Sequence, residues 1–323
     1  MCIRDRLTVE QILERLEDRF RLLTGGRRTS LPRQQTLLGA VKWSVDLLVP
    51  EEAALFARLS VFVDGATLEA AEAVGAGGES GGESTVAGGS GVDALAPQVL
   101  DLLARLVDKS LVFVRNEGGV RRYYLLDTMR EYGRALLTVS GDLQRLREQH
   151  AQVFLQLAET AEPELTGPDQ AAWLGRLGRE HGNLRAASET FVAADRGHCA
   201  LRLASATWRF WQVRGLLTEG RKVLAECLAA AAESRTASMA GGAEDLAAKA
   251  TDGTVCGPTS DAAESQELRA RTLCGAGLLA NDQGDFAAAR AHFTECLAIR
   301  RRLGDERGTA EILKNLGIAD RDQ

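Results

Sequence analysis

The chain has 323 residues, 45% of them hydrophobic and 26% charged, and a formal net charge of −6. That length allows two or three domains, each with its own core, and the net negative charge argues against a chain built throughout to hold a polyanion. No run of about 18 apolar residues is present to span a bilayer, and Met1 to Arg6 lack the apolar stretch of a secretory signal, so the expected location is cytoplasmic.

Aromatic residues are only 5% of the chain, while Ala, Leu, Gly and Arg are abundant, a composition suited to closely packed helices. Thr8, with Gln11 three residues on, forms a capping box that opens a helix carrying Ile12, Leu13, Leu16 and Phe20 on one face. After Gly25-Gly26, the residues Leu37, Leu38, Val41, Trp43 and Leu47-Leu48 predict a second helix, and Pro50 either helps to end it or opens the next one. Leu55, Phe56, Leu59 and Phe62 mark the next helix, Leu68 to Val74 a short one, and Leu100, Leu103, Leu106 and Val107 another.

Two β-type runs follow, Leu111 to Val114 and Val120 to Leu125, joined by Asn116-Glu117-Gly118-Gly119. This is hairpin-turn chemistry. A helix from Asp127 to Leu137 comes next. Three helices and a hairpin in this order make a winged-helix module. Two stretches, Gly75 to Gly91 and Glu233 to Ser265, lack an apolar period and are expected to be disordered insertions.

From Leu143 onward the pattern is helical, and it repeats. Gly215-x-Leu217-x-x-Gly220-x-x-x-Leu224-x-x-Cys227-Leu228 matches Gly284-x-Phe286-x-x-Ala289-x-x-x-Phe293-x-x-Cys296-Leu297. Small residues where two helices cross, and large ones where the pair meets its neighbour, is tetratricopeptide spacing. The fold class is therefore mainly α: a winged-helix module with one β-hairpin, then an α-solenoid of tetratricopeptide-like helix pairs.

Chemistry-bearing motifs are sparse. A phosphate loop needs GxxxxGK[ST], and none of the five lysines, Lys42, Lys109, Lys222, Lys249 and Lys314, follows a glycine. The six cysteines form no CxxC pair and read as reduced thiols, mostly in the core. His198-Cys199 and His292 have no partner at ligand or triad spacing, and His150, Trp173 and His181 fall in connector helices. No catalytic or metal residue is assigned, and the chain is expected not to be an enzyme and to hold no cofactor of its own.

The helix Leu100 to Lys109, the reader in a DNA-binding winged helix, sets Asp101 and Asp108 against Arg105 and Lys109 and is neutral, so DNA is not the expected partner. Arg121-Arg122 on the wing read as solvated charge. In the repeats, Trp208 and Trp211 take packing positions, while Arg209, Gln212, Arg271 and Asn281 fall off them. These four are expected to be exposed on a concave face lined by first helices and to bind a protein or peptide. On that reading Arg209→Ala or Arg271→Ala leaves stability within about 0.5 kcal/mol.

The order of motifs resembles a known family. Leu31-Pro32-Arg33-Gln34-Gln35-Thr36-Leu37, Trp43-Ser44-x-Asp46-Leu47-Leu48 and Leu55-Phe56-x-x-Leu59-Ser60-Val61-Phe62 are similar to bacterial regulatory ATPases of the NB-ARC class, the signal-transduction ATPases that include LuxR-type and AfsR-like regulators. Leu103-x-x-Leu106-Val107-Asp108-Lys109-Ser110-Leu111-Val112, Tyr124-Leu125-Leu126-Asp127-Thr128-x-Arg130-Glu131-Tyr132 and Glu180-His181-Gly182-Asn183-Leu184-Arg185-Ala186-Ala187 continue the likeness.

The resemblance implies three parts: a partial helical lid at 1–48, a winged helix at 49–140 and helical connector plus repeats at 141–323. It also implies that the ATP/ADP and magnesium site of the family lies in a nucleotide-binding domain missing from this chain, which would start inside the lid and stop inside a repeat. Eukaryotic relatives end the winged helix in Met-His-Asp, whose His senses the nucleotide β-phosphate. Here Leu125-Leu126-Asp127 stands at that place, so only Asp127 matches the sensor and the His is replaced by Leu126. Read from its position alone, Asp127 is an N-cap.

The implied function is a non-catalytic regulatory part of a transcriptional regulator: winged helix as switch arm, repeats as protein-binding sensor, and the missing nucleotide-binding domain as an internal partner. The alternatives are direct DNA binding by the winged helix, or part of an ATPase whose core lies elsewhere.

Overall fold

The computed structural model describes residues 37–75, 96–240 and 262–321. The helix expected after Thr8 and most of both expected insertions lie outside them. The chain divides into two compact units, Met1–Gln149 and His150–Gln323.

In the first unit, α1 (Leu37–Asp46) buries Val41 and Val45 and packs on α5 (Asp127–Ser140). Pro50 opens the next helix, α2 (Pro50–Leu59), at its first position, where its missing N–H costs nothing. Glu51 and Glu52 follow in the first turn, where the helix dipole favours negative charge. The buried Glu52 carboxylate accepts from the Val49 N–H at 3.2 Å and from Lys109, and the Lys109 hydrogen bond holds it below the usual carboxylate range despite burial. The inner face of α2 carries Leu55, Phe56 and Leu59.

Thr67 Oγ1 accepts from the Ala70 N–H at 3.2 Å and caps α3 (Leu68–Gly75). The expected reader helix is α4 (Ala96–Asp108), longer at its N-terminus than Leu100 suggests, with Val99, Leu103 and Leu106 buried. The first β-type run is only half strand: Leu111 and Val112 fill the core after a turn at Ser110, and β1 is Phe113–Glu117. It pairs antiparallel with β2 (Val120–Tyr124) in the register Phe113↔Tyr124. Gly118 and Gly119 both have positive φ, 61° and 82°, as a two-residue turn matched to strand twist requires. A bridge between Ala66 and Tyr123 ties the hairpin to the segment before α3. Three helices, a hairpin and that bridge make the winged-helix arrangement.

Arg122 corrects the sequence reading. Arg121 is exposed, but Arg122 is 1% exposed and donates to the Asp64 and Gly65 carbonyls at 2.9 and 3.3 Å. From α5, Arg130 donates to the Val63 carbonyl at 2.7 Å and Arg134 to the Ser60 carbonyl at 2.9 Å. Three guanidinium groups thus take up the carbonyls of the turn that leaves α2, groups that would otherwise need water.

Helix α6 (Leu143–Ala161) continues past residue 149 into the second unit. There follow a short 3-10 turn (Pro163–Thr166), α7 (Gln170–Arg179), α8 (His181–Ala193), α9 (Gly197–Val213), α10 (Leu217–Ala240), α11 (Ala262–Asp282), α12 (Phe286–Leu303) and α13 (Glu306–Arg321). The pairs α9–α10 and α11–α12 are the two copies of the sequence repeat. Leu224 and Phe293 are 0% and 1% exposed, and Cys227 and Cys296 are both fully buried. Gly215 and Gly284 make the same turn in each copy. The second expected insertion is shorter than its composition suggests: Glu233 to Ala240 continue α10, and Ala262 to Ser265 belong to α11.

Two close approaches fix the helix spacing. A Cβ at Gly220 would stand 2.6 Å from Trp211, and one at Gly275 2.5 Å from Trp208. Of the cysteines, Cys227, Cys274 and Cys296 are free and buried; burial pushes the first two thiols up to about 12, which leaves them unreactive. Cys199 departs from the expected free thiols, being disulfide-bonded.

Removing the paired anchors tests this packing. Leu224→Ala should cost about 2–5 kcal/mol and Phe293→Ala about 3–5 kcal/mol in chemical denaturation, whereas surface changes on the same helices stay within about 0.5 kcal/mol.

Candidate functional site

The sequence-predicted partner residues all lie in the second unit, on the facing first helices α9 and α11. None is fully exposed: Arg209, Gln212, Arg271 and Asn281 are each half-buried. This corrects the expectation of four free surface side chains. A first helix in a solenoid has neighbours on both flanks, so even its concave positions are partly covered.

Each has a distinct setting. Gln212 donates to the Asp282 carboxylate at 2.8 Å, one residue beyond Asn281, stitching the C-terminal ends of α9 and α11. The Asn281 side-chain oxygen is buried without a hydrogen bond. Arg271 pairs with Glu162, just after α6, and burial pulls its guanidinium below the ordinary arginine value. Arg209 lies over the Trp208 ring, its guanidinium carbon 5.8 Å from the centroid.

Arg209 and Trp208 line a cavity of about 380 Å³ with Glu162, Pro163, Thr166, Ser205 and Ala206. The structure thus brings Arg209 and Glu162, the partner of Arg271, into the lining of one cavity, and leaves Gln212 and Asn281 at the helix ends.

Sequence reasoning missed Glu162 and Glu159. Arg202 makes a two-pronged pair with Glu159, Nε to Oε1 at 2.7 Å and Nη2 to Oε2 at 2.8 Å. Arg202 and Arg271 are 69 residues apart, the offset of the repeat, and each takes a glutamate from the end of α6 or just beyond it. The repeat was the available signal: equivalent arginines were due equivalent partners. The aromatic cluster is mostly core. Phe210 and Trp211 are buried and pack edge to face, 5.0 Å between centroids, while half-buried Trp208 both packs on Gly275 and faces the cavity.

The Glu180 to Ala187 motif also has a structural explanation. Asn183, fully buried, donates to Glu180 at 2.8 Å and meets His150 Nε2 at 3.2 Å, so side chains from α6, α8 and the junction of α7 with α8 satisfy one another out of water. In the first unit, Asp127 is exposed in the first turn of α5 and is not its N-cap; Leu126 is. Its carboxylate pairs with Arg130 at 2.9 Å, which helps to aim that guanidinium at Val63.

The outward face of α4 carries Leu100, Asp101, Ala104, Arg105 and Asp108. The other cation of this helix region, Lys109, is drawn to Glu52. Two acids against one arginine, whose charge also acts on Glu52, make a poor match for a phosphate backbone.

A tetratricopeptide repeat model matches residues 268–323. The chain is 33% identical over 330 residues to a protein of Mycobacterium tuberculosis provisionally named an HTH-type transcriptional regulator, and equally to a Mycobacterium bovis protein of the same provisional name; the match takes in 95% of this chain. It spans only 35% of the length of those relatives. An uncharacterized M. tuberculosis protein is 39% identical over 138 residues, 43% of this chain and 32% of that protein. No solved structure matches the chain.

The Arg271–Glu162 contact overturns the idea that Arg271 is a neutral surface site. A double-mutant cycle of Arg271→Ala and Glu162→Ala should give a coupling energy of roughly 0.5–1 kcal/mol, the range for a partly solvated pair. Additive losses in thermal denaturation would mean the two side chains do not interact.

Proposed function

We propose that the chain is a non-catalytic regulatory part of a transcriptional regulator, with helical repeats that bind a protein or peptide and a winged helix that acts as an internal switch arm. The observation that carries this reading is the similarity along 95% of the chain to proteins named HTH-type regulators, together with the repeat match. Helix-pair solenoids present one continuous face to a partner, and the cavity with Arg209, Trp208 and Glu162 lies along α9, a first helix of the repeats.

The switch-arm role rests on three further features. The exposed face of α4 is neutral to acidic, so it suits protein packing better than a DNA groove. Trp43, Leu47 and Val49 leave apolar surface at and after α1, which fits a face covered by a further domain. The motif order resembles the NB-ARC class, in which a nucleotide-binding domain would supply that cover and hold ATP or ADP with magnesium. Asp127, the one position matching the sensor motif, acts in this reading through its Arg130 pair rather than on phosphate.

The relatives' name favours a second reading, DNA binding by the winged helix itself. Fluorescence anisotropy with a random-sequence duplex at low salt separates the two. Weak binding lost on modest salt addition is expected for the switch arm, and tight binding abolished by Arg105→Glu would establish the DNA reader. A second measurement tests catalysis. Isothermal calorimetry with ATP and magnesium should show no saturable heat, because no GxxxxGK[ST] loop is present to cradle phosphates; micromolar binding would overturn the non-catalytic reading.

A further inference from the structure

The arginines around the repeat cavity are not equivalent. Arg202 is matched by Glu159 and Arg271 by Glu162. Along the same helices Arg221 is matched by Asp285, Arg269 by Glu295 and Arg300 by Asp305. Arg209 differs from these five. No carboxylate pairs with it among the described residues, and its Nε is buried without a hydrogen bond. Its repeat equivalent, 69 residues on, is Leu278, so the repeat framework does not require a cation there. Arg209 nonetheless stands at the cavity wall, with the Trp208 ring beside it and the hydroxyl-bearing Ser205 and Thr166 along the same lining.

The covered Nε is not what a ligand would reach; what Arg209 brings to the cavity is the charge of its guanidinium. Among the described lining residues the one acid, Glu162, is paired with Arg271, which leaves Arg209 as the lining's unmatched charge. Beside that charge lies a flat apolar indole. The volume, about 380 Å³, suits one or two side chains rather than a folded partner.

We propose that this cavity takes an acidic residue of a peptide partner, its carboxylate forked onto Arg209 and the neighbouring apolar side chain of the peptide laid on Trp208. The assignment rests on the protein-binding reading of the repeats and adds the chemistry of what they bind. Charge complementarity selects the occupant. A basic peptide meets Arg209 head-on, and a purely apolar one leaves its charge unmatched.

The test uses the full chain and three acetylated, amidated peptides alternating Phe with Glu, with Gln or with Lys. Binding is followed by calorimetry, with inorganic phosphate as a fourth probe. The Glu peptide should bind best, the Gln peptide about tenfold more weakly, and the Lys peptide not measurably, the loss reflecting a charge-assisted hydrogen bond. Arg209→Gln should erase the preference for Glu over Gln, while Arg209→Lys keeps part of it and Arg221→Gln, away from the cavity, keeps all of it. Thermal melts of each variant confirm that the fold is intact.

Equal affinity for the Glu and Gln peptides, no measurable binding of the Glu peptide, a preference that survives Arg209→Gln, or phosphate binding in place of the peptide would each overturn the assignment. These outcomes concern the cavity alone. Failure of the wider regulatory reading shows instead as ATP binding or Arg105-dependent DNA binding, which Arg209→Gln does not touch.

Discussion

The second unit depends on how near its helices can come. At Gly220 and Gly275 the missing side chain lets the Trp211 and Trp208 side chains lie against a neighbouring backbone. Any larger residue there would force the helices apart, and close-packed interiors do not absorb such a shift. The same contact has a functional side. Trp208 is held by Gly275 on one side, so its ring is fixed where it borders the cavity and Arg209. A rigid aromatic loses little freedom on binding, which makes it a better platform than a mobile side chain.

The first unit is governed by a different device. Its hairpin is only two strands, too little to stand alone. Arg122, Arg130 and Arg134 supply what the sheet lacks by fastening the hairpin and α5 to the carbonyls of the turn between α2 and α3. Charges used in this way are unavailable to a nucleic acid. With Lys109 on Glu52, they take four cations away from any phosphate backbone, while Arg115 and Arg121 stay exposed on the hairpin.

Much of the fold was legible in the residues. The spacing of Leu55, Phe56 and Leu59, the Gly118-Gly119 turn and the 69-residue repeat each map onto a helix, a hairpin and a helix pair. Side-chain partnerships were harder to read. Arg121-Arg122 looks like a solvated pair because neighbours on a strand share a sequence context but face opposite sides, and only the partner turn at Asp64 and Gly65 decides which one is buried. Asp127 has the residue type of an N-cap, but Leu126 takes that place. Arg271 lies off the apolar stripe, yet Glu162, 109 positions earlier, claims it. Long-range pairings of this kind carry no local pattern. The exception was available in principle, since a repeat that equates Arg202 with Arg271 also equates their needs.

The buried Arg122 also bears on the order in which the first unit assembles. The Gly118-Gly119 turn can close within microseconds by itself, but Arg122 can shed its water only when the carbonyls of Asp64 and Gly65, 58 and 57 positions earlier, are already in place. Docking the hairpin therefore closes a long loop, a step with a large entropic barrier. A ribosome delivers the acceptor turn before the arginine, so the carbonyls can be waiting when the cation emerges. A circular permutant that made the hairpin first would invert that schedule and leave Arg122 hydrated on an unprotected two-stranded edge until the acceptor turn arrived.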